Sequence, residues 1–470
     1  MAKILLFNPP GPEGKAYIRE GRCTQESGVW ATQWPPVTLA TAAALLEKDG
    51  HKIKVIDFPA VKLNISDLQN VIISFKPDIA IWNTGTPTLI FDLNIAKIIK
   101  EIKQDIITCV LGTHVSVDSE NVLNASSVDI VIRGEPELPI KNLCKEFPNN
   151  NWDKIHGISY KDKNNTKIFH NIDSLFLTPS EIPPPSWHYL DINAYKLPLK
   201  GRPFLILSPI RGCPFLCNFC TAQLYYGKKL RKRPIANVIS EIENSIHKYK
   251  IRDFFIWADT FTADKKYVKE FCDQIIKKNL KISWTCNSRV DTIDKDILVI
   301  MNKAGLWMIS FGLESGNDSI LEQSGKNITI KQSKYAVISA NEIGIKTSGH
   351  FIFGLLGETE KTMMETLSLA LELPLDIAQF YTASPFPGTM LYDKATKNNW
   401  LENISSHSQS HSVINLPNLP AYKVDAFRQY AYKKFYFRKK AFLNILSMIE
   451  PKAIKNILSN IKGFLKWIIT

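Results

Sequence analysis

No run of eighteen apolar residues occurs in this 470-residue chain, so its sequence carries no membrane-spanning helix. Cysteine is sparse: of eight, five (Cys23, Cys109, Cys144, Cys272, Cys286) are scattered without a repeating interval. That excludes a disulfide ladder and fits a reducing, cytoplasmic setting. Acidic residues are the minority, 45 against 58 Lys and Arg, leaving a net charge of +13. A cationic excess attracts phosphate. Here eleven Lys or Arg between Ala421 and Thr470 face only Asp425 and Glu450, so much of the excess belongs to the tail. Net charge governs solubility and non-specific binding more than fold, and nucleic acid is set aside as a partner. No secretory leader is expected: Ile4-Leu5-Leu6-Phe7 is too short an apolar stretch before Asn8-Pro9-Pro10 and reads as a buried first strand.

What is present is ordinary globular material, 45% hydrophobic and 22% charged, long enough for two or three domains. From Lys3 to about Pro148, short apolar runs alternate with amphipathic stretches. Strands are expected at Ile4–Phe7, Lys52–Ile56, Ile79–Trp82, Ile107–Leu111 and Ile130–Ile132. Helices are expected at Val37–Lys48, Ile65–Phe75, Thr88–Lys103, Ser119–Asn124 and Glu137–Glu146. Near-continuous apolar strands between helices predict a parallel sheet covered on both faces, a flavodoxin-like doubly wound α/β domain. Such sheets bind ligands beyond the carboxyl ends of their strands. The loops there are small and polar: Asn8-Pro9-Pro10, Asn83-Thr84-Gly85-Thr86, Gly112-Thr113-His114 and Arg133-Gly134-Glu135. They let backbone amides approach a large flat ligand, although α/β loops also use Gly and Asn simply to turn. The long segment Ala16–Trp34, with Arg19, Arg22, Cys23, Gln25, Trp30 and Trp34, reads as a lid or as a variable loop.

A predicted hairpin spans Gly157 to Phe169, and Ile182-Pro-Pro-Pro185 forms a stiff connector. A second β-α rhythm follows, with strands at Pro203–Pro209, Phe254–Trp257, Ile282–Trp284, Met308–Phe311, Gly349–Phe353 and Ile377–Tyr381. Six parallel strands predict a barrel or partial barrel with its site at the carboxyl ends. The first of those ends carries Cys213-Pro-Phe-Leu-Cys217-Asn-Phe-Cys220. Closed zinc sites and iron–sulfur clusters take four ligands, and this loop supplies three. Either a fourth ligand lies elsewhere, or one metal position is open, or the cysteines are simply buried.

The cysteine spacing, the aromatic Phe219 before the last cysteine and several downstream segments resemble the radical S-adenosylmethionine (SAM) superfamily. Those segments are Ala258-Asp259-Thr260-Phe261, Asn287-Ser288-Arg289-Val290-Asp291, Gly312-Leu313-Glu314-Ser315-Gly316, Gly354-Leu-Leu-Gly357-Glu358-Thr359 and Ser384-Pro-Phe-Pro-Gly388-Thr. The resemblance implies a [4Fe-4S] cluster on Cys213, Cys217 and Cys220 whose fourth iron binds SAM. It also implies SAM contacts at Phe219, Asp259, Arg289, Glu314 and Ser315.

The first segment resembles the cobalamin-binding domain of B12-dependent radical SAM proteins through Phe7-Asn-Pro-Pro10, Trp34-Pro-Pro36, Gly50-His51, Leu111-Gly-Thr-His114 and Ile132-Arg-Gly-Glu-Pro136. Cobalamin contacts are implied at Asn8, Thr84, Gly85, Thr86, Gly112, Thr113, His114, Gly134 and Glu135. The D-x-H-x-x-G signature whose His ligates cobalt is missing, since His51 lies in Asp49-Gly-His-Lys and His114 in Gly112-Thr-His-Val. His114 is therefore expected to touch the corrin or its side chains.

The resulting division is 1–148 cobalamin-binding domain, 149–200 hairpin and proline-rich linker, 201–400 radical SAM partial (β/α)6 barrel, and 401–470 basic helical C-terminal region. The implied activity is C-methylation of an unactivated carbon in a small-molecule or lipid-like substrate. The implied electron donor is a low-potential flavodoxin or ferredoxin. Rival readings are a radical oxidative cyclase with the same cofactors, a radical SAM enzyme without corrinoid, and a non-enzymatic iron–sulfur or zinc protein. Methylthiolation is disfavoured, because no second cysteine cluster precedes the first. Asn403–His411 is expected to be a polar connector. Beyond it, aromatic, basic and helically spaced apolar residues predict a helical cap, or a basic amphipathic end resting on an anionic membrane.

Overall fold

The computed structural model describes residues 1–20, 24–27, 33–162, 167–402 and 408–454. The described residues form two compact units, one built from residues 1–20, 24–27, 33–162, 167–195 and Thr221–Gly227, the other from Lys196–Cys220 and residues 228–402 and 408–454.

In the first unit β1 (Lys3–Asn8) is followed by a two-stranded ribbon, β2 (Tyr17–Ile18) and β3 (Gln25–Glu26). Then come β4 (Lys52–Asp57), β5 (Ile79–Asn83), β6 (Ile107–Leu111), β7 (Ile130–Ile132), β8 (Ile158–Lys161) and β9 (Ile168–His170). The main sheet has seven strands in the order β4-β1-β5-β6-β7-β8-β9. The first five pair in parallel, and β8 and β9 extend the sheet antiparallel. The predicted hairpin is thus part of this sheet.

Strand alternation explains why these runs are apolar throughout. Ile4, Leu6, Ile79, Ile81, Cys109 and Leu111 pack on one face with Leu39, Ala42, Ala43 and Leu46 of the helix Val37–Lys48. Leu5, Phe7, Ala80, Trp82 and Val110 pack on the other with Leu68 and Ile72 of Ile65–Phe75 and Ile95, Ala96 and Ile99 of Leu89–Ile102. Both faces are dry, so every apolar position in the strand has a partner. Strand order reverses between β1 and β5, the switch point of a doubly wound sheet.

The second unit holds β10 (Phe204–Leu207), a short ribbon of β11 (Ile210–Arg211) with β12 (Arg231–Lys232), then β13 (Asp253–Ile256), β14 (Ser283–Ser288), β15 (Leu306–Glu314), β16 (Lys346–Phe353) and β17 (Ile377–Thr382). Its six-stranded sheet runs β10-β13-β14-β15-β16-β17, parallel at every step. This is the expected order for a partial barrel. Side chains cap the starts of five intervening helices: Asp264, Asp294, Asn317, Thr329 and Thr359 each accept a backbone N–H of the first turn.

The open edge at β17 is covered by the helix Ala421–Tyr436. The Tyr436 hydroxyl donates to Ala378 O at 2.8 Å, the Tyr432 hydroxyl accepts from Phe380 N at 3.1 Å, and Arg428 Nε donates to Phe380 O at 2.8 Å. Three side chains spaced four apart thus stand in for a further strand, satisfying edge groups that invite mispairing. The next helix, Lys439–Met448, sends Met448 into a cluster with Leu199, Met308 and Ile377. Glu450 N then bonds Leu199 O at 2.9 Å, and its carboxylate meets Arg202 at 3.0 Å. The described part of the tail is therefore a helical cap. Asn403–His411 lies partly, and residues 455–470 lie wholly, outside the described residues.

Tyr436→Phe leaves the Ala378 carbonyl without its buried donor and is expected to lower stability by about 1–3 kcal/mol. Urea unfolding of the full-length protein checks this, and the Tyr432→Phe/Tyr436→Phe pair should lose more.

Candidate functional site

The cysteine loop leaves β11 at Gly212, whose φ of 90° turns the chain, and has no helix or strand from Gly212 to Cys220. Cys213 is buried, Cys217 and Cys220 are half-buried, and none is in a disulfide. Two neighbouring segments hold the loop. Asn218 N donates to Ser324 O at 2.9 Å, Asn218 Nδ2 donates to Gln323 O at 2.8 Å, and Leu391 N donates to Asn218 O at 3.0 Å. Gly325, at φ +68°, lies so close that an added Cβ would stand 2.5 Å from Leu216 O. Glycine is required there both by conformation and by space.

Charged residues at the strand ends meet beside Cys217. Arg289, just past β14, forks onto Asp291 with two bonds of 2.9 Å, donates to Lys326 O at 2.6 Å, and places Nη1 3.7 Å from Cys217 Sγ. Its guanidinium stacks 3.8 Å over the Phe215 ring. Lys326 Nζ pairs at 2.6 Å with Glu314 Oε1, at the end of β15. Burial pushes the Cys217 thiol up to about 11, against the pull of Lys326 and Arg289. Burial also raises Cys213, whose Sγ lies 3.7 Å from Thr260 Oγ1, and the Asp259 carboxylate raises it further. Cys220 acts electrostatically on both other thiols, so the three share one neighbourhood. Among the described residues, no three His, Cys, Asp or Glu side chains surround a single ion-sized point.

Of the expected SAM contacts, Arg289 and Glu314 are thus gathered at Cys217, and Asp259 lies near Cys213. Phe219 is half-buried within the loop. Ser315 is fully buried, its hydroxyl 3.2 Å from Thr366 Oγ1. The basic stretch Lys228-Lys-Leu-Arg-Lys-Arg233, before the helix Ile235–Tyr249, divides: Arg233 forms a buried pair with Glu241 at 2.7 Å, while Lys232 pairs with Asp264 at the surface.

In the first unit the carboxyl-end loops are joined by a buried ion pair. Arg19 donates to both Asp92 oxygens, at 2.9 and 2.7 Å, and to Pro9 O at 2.8 Å. Asp92 also accepts from Thr84 at 2.9 Å and Thr88 at 2.5 Å. The loops after β1 and β5, on either side of the switch point, are thereby fixed to each other. Gly112, at φ +143°, lies so close to Thr84 that a Cβ would overlap its carbonyl. Thr86 Oγ1 bonds His114 Nδ1 at 3.0 Å, and Thr113 opens the short helix Thr113–Val117. Gly134 N donates to Ser116 Oγ at 2.9 Å. Asn8, Thr84 and Glu135 are buried, while Gly85 begins the turn Thr86–Thr88.

Arg19 is therefore an anchor at the base of the long loop; Arg22, Cys23 and Trp30 lie outside the described residues. Asp92 and Lys326 escaped sequence reading. Asp92 resembles an acidic residue in a first helical turn, and Lys326 is one lysine among many.

Comparison with known proteins now bears on these sites. The Radical SAM superfamily model matches residues 207–370, and the B12 binding domain model matches residues 28–143. An uncharacterized methyltransferase of Pyrococcus horikoshii is 33% identical over 97% of this chain and 98% of its own length. The chain belongs to the cobalamin-dependent radical SAM methyltransferase family. It is an enzyme of that family rather than an electron carrier or zinc adaptor. An anaerobic magnesium-protoporphyrin IX monomethyl ester cyclase of Rubrivivax gelatinosus is 28% identical, over 99% of this chain and 82% of that one. Among solved structures, the radical SAM methyltransferase TsrM of Kitasatospora setae superposes with a TM-score of 0.69 at 15% identity, covering 96% of this chain and 90% of that one. That likeness supports the family's fold, and the doubly wound domain followed by a partial barrel matches it.

One acidic group at the strand ends titrates unusually. Glu358 Oε2 accepts from Gly354 N at 2.5 Å and Leu355 N at 3.1 Å, and burial pushes its carboxyl from 4.5 up to about 8. Between those two values the unfolded state has lost a proton that the folded state keeps, so this group makes stability fall as pH rises and has no further effect above the window. Glu358→Gln keeps the accepting oxygen without the titration. Its urea midpoint should therefore drop less than that of the wild type between about pH 5 and about pH 8.

Proposed function

We propose that this enzyme methylates an unactivated carbon of a small-molecule or lipid-like substrate, using a [4Fe-4S] cluster, SAM and cobalamin. The observation that carries this reading is the three-cysteine loop, clamped at the carboxyl ends of a parallel sheet with Arg289 and Lys326 at its side, in a protein that also carries a B12 binding domain. When bound, the cluster would supply the electron that breaks SAM into a deoxyadenosyl radical, and the corrinoid would supply the methyl group.

The protein's own residues hold and orient. Cys213, Cys217 and Cys220 would ligate iron as thiolates, and the cations Lys326 and Arg289 favour loss of the Cys217 proton. The Asn218 and Gly325 contacts keep three thiols on a loop that has no regular structure of its own. Asp259 follows β13, and Glu314 and Ser315 stand together at the end of β15, where SAM's ammonium and ribose hydroxyls would find acceptors, while Arg289, after β14, would offer a cation to its carboxylate. Phe219 offers backbone and ring to adenine. On the first sheet, Asn8, Thr84, Gly85, Thr86, Gly112, Thr113, His114, Gly134 and Glu135 line the edge that receives the corrinoid. Tryptophan and a SAM analogue occupy one TsrM structure, which agrees with a small-molecule substrate. A flavodoxin or ferredoxin would deliver the electron.

Anaerobic reconstitution with iron and sulfide, then dithionite and SAM, tests the reading. The wild type should yield 5′-deoxyadenosine, and Cys213→Ala, Cys217→Ala and Cys220→Ala should each fall to background. Iron uptake without SAM cleavage would sink it.

A membrane-facing end has its own support. Phe437, Phe442, Leu443 and Leu446 are exposed on and beside the helix Lys439–Met448, among Arg438, Lys439 and Lys440. Apolar and cationic side chains together suit an anionic bilayer surface, where a lipid-like substrate would be met. Because Ala453 is buried, truncation belongs after Ile454. Removing residues 455–470, and separately replacing Phe442, Leu443 and Leu446 by Ser, should each reduce sedimentation with anionic liposomes. Association unchanged by both, or absent in the wild type, would discard the membrane contact.

A further inference from the structure

The buried polar residues of the first unit concentrate at the carboxyl edge of its sheet, where Asn8, Asp57, Asn83, Thr84, Thr88 and Asp92 are all nearly inaccessible. Thr84, Thr88 and Asp92 are accounted for by the Arg19–Asp92 network. Among the others, two oxygens have no partner.

Asn8 ends β1, Asp57 ends β4, and the two are register partners in adjacent parallel strands. Tyr195, far along the sequence and buried, donates its hydroxyl to Asp57 Oδ2 at 3.1 Å, with the Asn8 amide and the Ala60 N–H nearby. Yet Asn8 Oδ1 and Asp57 Oδ1 are both buried with no hydrogen-bond partner. A buried oxygen in that state has lost its water without replacement, which native folds rarely leave unresolved.

What would resolve it follows from the atoms. Both are acceptors, so the missing group is a donor. One belongs to a carboxylate, so an anionic group such as a phosphate is repelled. Burial pushes the Asp57 carboxyl up to about 6, against the pull of Tyr195 and Arg19, which leaves it ionised above neutrality. A primary carboxamide fits, since its NH₂ presents two donors and no charge.

We infer that Asn8 Oδ1 and Asp57 Oδ1 form an acceptor pair for a peripheral carboxamide NH₂ of the bound corrinoid, with Tyr195 holding the Asp57 carboxylate in place. This rests on the corrinoid reading above. It adds Asp57 and Tyr195 to the edge and gives Asn8 a chemical task, while Tyr195 acts as a positioning residue through Asp57.

The test is absorbance titration of the full-length protein with hydroxocobalamin, and with a corrinoid whose peripheral carboxamides have been partly hydrolysed to carboxylates. The wild type should prefer the intact corrinoid by about ten- to a hundred-fold. Asp57→Asn replaces an acceptor by a group that can also donate. It should weaken binding of the intact corrinoid and narrow that preference, a change that general loosening of the fold does not produce. Asn8→Ala should cost about ten-fold, and Tyr195→Phe should move in the same direction by less. Circular dichroism and iron loading at wild-type values serve as fold controls. If the wild type binds hydroxocobalamin and Asp57→Asn keeps the full preference, or Asn8→Ala and Asp57→Ala bind as the wild type does, this inference alone fails. If the wild type retains no corrinoid, the corrinoid reading fails and takes this inference with it.

Discussion

Parallel strands buried on both faces have no side chain to spare for chemistry except at their ends. Both units obey this constraint. In the first, alternate apolar residues of β1 and β5 are consumed by two helical layers, and the buried polar residues Asn8, Asp57 and Thr84 stand where strands leave the sheet. In the second, the cysteine loop, Arg289 and Glu314 all follow strand ends. The helices that dry the sheets therefore decide where the reactive residues can be.

What the ends lack in regular structure they recover by cross-bracing. No hydrogen-bond ladder runs through the residues between Gly212 and Cys220, and their position is set by Ser324, Gln323 and Leu391. Lys326 continues the same segment, reaching Glu314 with its ammonium and Arg289 with its carbonyl. One short stretch of backbone thus holds the cysteine loop mechanically and bears on its charge. Moving it would alter both thiol positions and thiol acidity.

Much of this was legible in the sequence, for a physical reason. Continuous apolar runs, helical periodicity and turn residues are local signals, so the strand and helix ranges of the first unit fall within a residue or two of expectation. The cysteine spacing is likewise local. Pairs such as Arg19 with Asp92, Tyr195 with Asp57 and Lys326 with Glu314 join residues whose types are common and whose partners only folding brings near. The tail shows the limit most clearly. Tyr432 and Tyr436 read as part of a run of interleaved aromatic and basic residues, whereas their hydroxyls satisfy the backbone of β17. Helical spacing was visible; the edge they cover was not.

The Arg19–Asp92 pair raises the question of why charges are buried at all. Both side chains are 0% exposed, and burial alone raises the Asp92 carboxyl. A buried pair commonly gains little stability over well-packed apolar residues of the same size, because desolvation offsets the attraction. Its effect here lies in what else it touches. Arg19 takes up carbonyls after β1, and Asp92 takes up hydroxyls after β5. Apolar substitutes could fill the volume but would leave Pro9 O, Thr84 Oγ1 and Thr88 Oγ1 without those partners. Orientation of the two loops at the switch point, rather than net stabilisation, is the physical reason for keeping the charges.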